Sequence, residues 1–138
     1  FMNYYYRNSI DQFIESSTNE IIGAITLENQ FDGTLLQNKS WELQIPILKN
    51  ALAHLNGEIY FEFSIPRMGK RIDTILIIEN IVFIIEFKVG EHAFHNSDVE
   101  QVWDYALDLK NFHKPSHAAV IVPILILLRL NSLLMMTI

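Results

Sequence analysis

The chain has 138 residues, half of them hydrophobic and only 19% charged, with a formal charge of −6 and a pI near 5.2. That length suits one domain, residues 1–138, around a single core, while the low charge content predicts a surface completed by the rest of a larger protein or by a second copy in a homodimer. The acidic balance excludes holding nucleic acid by bulk electrostatics, and the lack of cysteine excludes disulfides and thiolate zinc sites.

Residues 1–7 contain no apolar core of a signal peptide, so a cytoplasmic location is the default, with Met2 as the natural start. Ser9-Ile-Asp-Gln12 has the form of a capping box and predicts a short helix carrying Ile10, Phe13 and Ile14. A second helix, capped by Thr18 or Asn19, presents Ile21, Ile22 and Ile25 as an apolar stripe and closes at Phe31-Asp-Gly33. From Ser40, the residues Trp41, Ile45, Leu48, Leu52 and Leu55 fall in one sector at helical spacing, which predicts a third helix ending near Asn56-Gly57. Pro46 removes a donor inside it, so the helix either bends there or begins later than Ser40.

Residues 58–66 alternate, with Ile59, Phe61, Phe63 and Ile65 expected on one face of a strand and Tyr60, Glu62 and Ser64 on the other. With a turn at Met68-Gly69, Ser64 lies opposite Asp73, and Glu62 is either a partner of the site or an exposed strand residue. Strands at 71–79 and 81–88 follow as a hairpin tipped by Glu79-Asn80. Ile78 then faces Ile81, and counting back brings Asp73 opposite Glu86, with Lys88 on the same face. Directly opposed carboxylates repel by up to about 1 kcal/mol relative to a neutral pair, which makes little sense for stability and good sense around a divalent cation.

After a loop, Ser97-Asp-Val-Glu100 forms a second capping box, and a helix from Asp98 to Phe112 buries Val102, Ala106 and Leu109. Gln101, Tyr105, Asp108 and Phe112 share its bordering stripe, and Gln101 and Tyr105 at i, i+4 reach one point. The apolar run 118–127 is a buried strand with Pro123 near an edge or bulge, parallel to a neighbour because a helix intervenes. Arg129 and Pro123 argue against a membrane span over 118–138. Residues 124–138 are too apolar for a free tail and should cover the core or a second copy. No phosphate-loop motif occurs, so an ATPase motor is absent from this chain.

Asp73 followed by Glu86-Phe-Lys88 on the next strand resembles the PD-(D/E)XK nuclease superfamily, with Ile72 in place of the eponymous proline. Residues 61–73, 85–90 and 101–113 are further similar to the N-terminal region of bacterial Schlafen-like DNA/RNA helicases, a likeness that runs from Tyr4 to Leu127 and leaves 128–138 as an atypical tail. The resemblance implies an α/β/α sandwich with a mixed four-stranded sheet and a restriction-endonuclease-like core, here as the N-terminal part of a protein whose ATPase/helicase domain lies elsewhere. It also implies a Mg²⁺- or Mn²⁺-dependent nuclease acting on DNA or RNA, the Gln101–Tyr105 pair matching a motif of its exonuclease-like branches.

Hydrolysis of a phosphodiester needs charge relief, an activated water and a protonated leaving oxygen, and hard carboxylates are the proper ligands of the cation that serves these needs. Asp73 and Glu86 are the assigned ligands, with the Phe87 backbone carbonyl as a third. Lys88 is the group that acts on the water and the phosphate charge. Glu42, on the helix before the first strand, reads either as an additional metal ligand or as a solvated glutamate. Arg67, Lys70 and Arg71 gather at one hairpin end as phosphate contacts or as a solvated tip, while Gln101 and Tyr105 hold the phosphate backbone or orient Lys88. His92-x-x-His95 and His113-x3-His117 have metal-like spacings, but Pro115 breaks the helical face of the second pair. The rival to the nuclease is a catalytically inert nucleic-acid-binding or interaction module of a helicase.

Overall fold

A computed structural model describes residues 4–32, 38–65, 69–91, 93–112, 118–128 and 133–138. Strand β1 (Tyr6–Ser9) runs directly into helix α1 (Ile10–Glu15), because Ser9 is extended and its hydroxyl accepts the Gln12 N–H at 3.2 Å. Helix α2 (Thr18–Asp32) is capped one residue earlier than expected, by the Ser17 hydroxyl accepting from Glu20 N–H at 3.1 Å. Helix α3 (Asn38–Leu52) continues through Pro46. The Lys49 ammonium donates to the carbonyls of Ile14 and Ser16, tying α3 to the end of α1.

Strands β2 (Glu58–Ser64), β3 (Arg71–Ile78) and β4 (Ile81–Val89) form the expected antiparallel meander. Helix α4 (Asn96–Phe112) then crosses over to β5 (Val120–Leu128), which lies parallel to β4. The first turn of α4 begins ahead of the predicted capping box, with Asp98 and Val99 N–H both donating to the His95 carbonyl at 3.1 Å.

The sheet has six strands in the order β1-β2-β3-β4-β5-β6, where β6 is Leu133–Thr137, so the expected count of four is corrected to six. The two extra strands are both at the edges. At four and five residues they are too short for alternation to be read in the sequence, and pairing with β2 and β5 makes them strands. Pro123 sits on an inner strand rather than at an edge. Its carbonyl accepts from Ile138 N–H at 2.9 Å, so its missing donor also faces the β6 side, where β6 ends, and no β4–β5 bond is lost.

Helices cover both faces. On one, α1, α2 and α3 pack Phe13, Ile21, Ile25, Trp41, Ile45 and Leu48 against Ile59, Phe61, Leu76 and Phe87. On the other, α4 packs Val102, Tyr105, Ala106 and Leu109 with Ile75, Ile84 and Leu125. The expected single apolar face of β2 is not kept, since Ile59 and Phe61 belong to the first core and Phe63 and Ile65 to the second. Glu62 causes the switch: its φ of +53 rotates the strand between Phe61 and Phe63. No helix among the described residues is long and apolar enough to cross a membrane.

Candidate metal and phosphate site

The β3–β4 register pairs Ile78 with Ile81 and Thr74 with Ile85, which continues to Asp73 opposite Glu86 as the sequence predicts. At this level side chains take over the hydrogen bonds of the ladder. The Asp73 N–H donates to Glu86 Oε1 at 2.8 Å, and the Phe87 N–H donates to Asp73 Oδ2 at 3.1 Å. Each carboxyl is thereby fixed at one oxygen, and the two carboxyls lie in contact with each other. The N–H and C=O of one strand residue point to the same neighbour, so the Phe87 carbonyl also lies on the β3 side.

Glu86 is 4% exposed, whereas Asp73 keeps part of its surface in solvent. Burial pushes both carboxyls up. Glu86 stands well above the ordinary carboxylate range, chiefly through desolvation and secondarily through the adjacent charge of Asp73. Desolvation likewise raises Asp73, opposed by the bond from Phe87 N–H, the contact with Glu86 and the charge of Lys88. A shared proton on this pair is the arrangement that avoids two buried charges, and a divalent cation is the natural substitute for that proton. The donor set thus fits a hard cation. Among the described residues, no three His, Asp or Glu side chains are already gathered around one point.

Lys88, two residues beyond Glu86 on the same face, reaches the helix layer. Its ammonium donates to Gln101 Oε1 at 2.9 Å, and Gln101 Nε2 donates to the Tyr105 hydroxyl at 3.1 Å. Sequence spacing brings these three together as expected. Tyr105 is buried, and its hydroxyl is pushed up to about 12, first by burial and then by the charges of Glu86 and Asp73. Lys88 also forms an ion pair with Asp98, whose Oδ1 lies 3.8 Å from the ammonium, while Asp98 Oδ2 is buried without a hydrogen-bond partner among the described residues. Glu91 is raised mainly by contact with the Asp98 carboxyl. Asp98 was missed as a site neighbour, although Asp98, Gln101 and Tyr105 at i, i+3 and i+7 share one helical face.

No protein-family model matches the chain, and no curated protein is significantly similar to it.

The remaining predicted site residues are dispersed. Glu42 is exposed on α3, whose buried face packs on the side of the sheet opposite α4, and no contact among the described residues joins it to Asp73 or Glu86. Arg71 is spent on structure: its guanidinium lies over the Tyr5 ring, 4.0 Å from the centroid, and donates to the Glu62 carbonyl at 3.1 Å. Lys70 is exposed. Arg67, His92, His113 and His117 lie outside the described residues. His95 is 3.9 Å from Glu91.

The β2–β3 register corrects one further expectation. Phe61 pairs with Thr74 and Phe63 with Ile72, which puts Glu62, not Ser64, opposite Asp73. Glu62 is buried rather than an exposed strand residue. The predicted tip at Met68-Gly69 put the β2 partner of Asp73 two residues too far along; the bond from Ile65 N–H to the Lys70 carbonyl continues the observed register towards the turn.

Proposed function

We propose that this domain is a divalent-metal-dependent nuclease with a restriction-endonuclease-like core, hydrolysing phosphodiester bonds in DNA or RNA in the cytoplasm and working beside a helicase motor. One observation carries this reading: the carboxyls of Asp73 and Glu86 meet across β3 and β4, each accepting a backbone N–H of the other strand, with a lysine two residues beyond Glu86 anchored by a glutamine–tyrosine pair. A cation bound there supplies Lewis-acid relief of phosphate charge and lowers the pKa of bound water.

The chain's own residues do the rest. Asp73 and Glu86, helped by the Phe87 carbonyl, would hold the ion. Lys88, fixed by Gln101, presents its ammonium beside them to orient the attacking water and offset charge on the phosphate. Tyr105 keeps Gln101 from rotating. Lys70 at the β2–β3 turn is the exposed described cation available to a neighbouring phosphate.

The ion pair of Lys88 with Asp98 favours a second reading, a catalytically inert nucleic-acid-binding or interaction module in which the lysine is locked in place. Mn²⁺ titration followed by cleavage of single- and double-stranded DNA and RNA separates the two. The nuclease binds Mn²⁺ and cuts at least one substrate. Mn²⁺ occupancy with no cleavage assigns the chain to the inert module.

A further inference from the structure

The β2–β3 and β3–β4 registers place Glu62, Asp73 and Glu86 in one row across three adjacent strands. Glu62 is 8% exposed, and no hydrogen bond among the described residues reaches its carboxyl. A carboxyl with so little access to water and no donor ionises at a cost unless something else answers its charge. Arg71 does so only in part, since its guanidinium is engaged by the Glu62 carbonyl and the Tyr5 ring. The charge of Asp73 acts on Glu62, and the charges of Glu86, Asp73 and Glu62 all act on the Tyr105 hydroxyl of α4. All three carboxyls therefore face the same space. The left-handed φ of +53 at Glu62 is a conformation that a glutamate adopts at a cost and that its surroundings must hold in place.

From this placement we propose that Glu62 is a third carboxylate of the divalent-cation site, holding water on the ion from the strand beside Asp73. The inference rests on the reading of Asp73 and Glu86 as cation ligands. Because the three acids do not close on one point, Glu62 would act on the ion through a bridging water. It is a positioning residue, and its effect is on how tightly the ion and its water are held.

Calorimetric titration of the full chain with Mn²⁺ alone, paired with melts of the metal-free protein, tests this. Glu62→Gln should bind Mn²⁺ about ten- to a hundredfold more weakly than wild type. Its metal-free melting temperature should be equal below neutrality and higher as pH rises through about 8, where the buried Glu62 would ionise and an amide does not. Glu62→Asp, which keeps the charge on a shorter arm, should recover part of the affinity. Equal Mn²⁺ affinity in wild type and Glu62→Gln overturns the role of Glu62 and leaves the Asp73–Glu86 site standing. A metal-free Glu62→Gln protein that melts lower makes Glu62 a structural residue and also overturns it. Wild type that binds no Mn²⁺ overturns both readings.

Discussion

Asp73 and Glu86 are held together by two backbone N–H groups, and each bond offsets in part the upward push that burial gives its carboxyl. Replacing either with Ala should abolish Mn²⁺ binding while leaving the metal-free fold intact or slightly more stable, because the crowding of the pair is relieved. Calorimetry and thermal melts of the two variants check this, and Mn²⁺ affinity unchanged by either substitution refutes the assignment. Lys88→Ala should behave differently. It keeps the ion and loses turnover by about 10²- to 10⁴-fold, the range for a positioned group that acts on a proton or on developing charge. Cleavage at full rate in Lys88→Ala would sink the mechanism. The Asp73–Glu86 pairing was legible because a tight turn fixes register by counting. The burial of Glu62 and the approach of Asp98 to Lys88 were not, since one follows from a left-handed residue and the other from how α4 docks on β4.

Helix α3 and strand β2 are joined where the backbone of Gly57 presses against β3. A Cβ added there would stand 2.2 Å from the Ile77 carbonyl oxygen, a main-chain atom that the β3 ladder holds in place. The Gly57 carbonyl also accepts from Ile10 N–H at 2.9 Å, so the same peptide anchors the start of α1. Gly57→Ala should cost about 1–3 kcal/mol, the usual range for overpacking, read as a lowered urea midpoint. A midpoint equal to wild type would mean that the β2–β3 pairing yields at this point. At this scale the helices and the four inner strands were legible from periodicity of 3.6 and 2, and Gly57 from its place after an apolar helical sector. The continuation of α3 through Pro46 was not decided by sequence. Tertiary packing of Trp41, Ile45 and Leu48 into the core supplies the energy that overrides the lost donor.

Among the described residues, helices pack on both faces of the sheet, and β1 and β6 form its two edges. The helix between β4 and β5 made their parallel pairing legible, whereas the destination of residues 133–137 depended on an edge that local pattern does not reveal. Leu133, Leu134 and Met135 are exposed there, and a second copy is the partner expected to cover them. Sedimentation showing a dimer that Leu134→Lys dissociates would bear this out, and a monomeric wild type would refute it. The acidic row sets the response to pH. Burial and the charge of Asp73 push Glu62 up to about 8 from an unfolded reference of 4.5, and Asp73 and Glu86 are shifted in the same direction. Between those values the folded chain keeps protons that the unfolded chain releases, so stability is fully present below 4.5 and is lost as pH rises through about 8. Urea midpoints of the metal-free protein should accordingly fall across that window, and the fall should be shallower in Glu62→Gln. Saturating Mn²⁺ at the alkaline end should restore stability, because the ion binds the folded carboxylates in place of their protons. Midpoints that stay level or rise with pH in the metal-free protein would show that the three carboxyls are ionised and paired by some other cation of the chain.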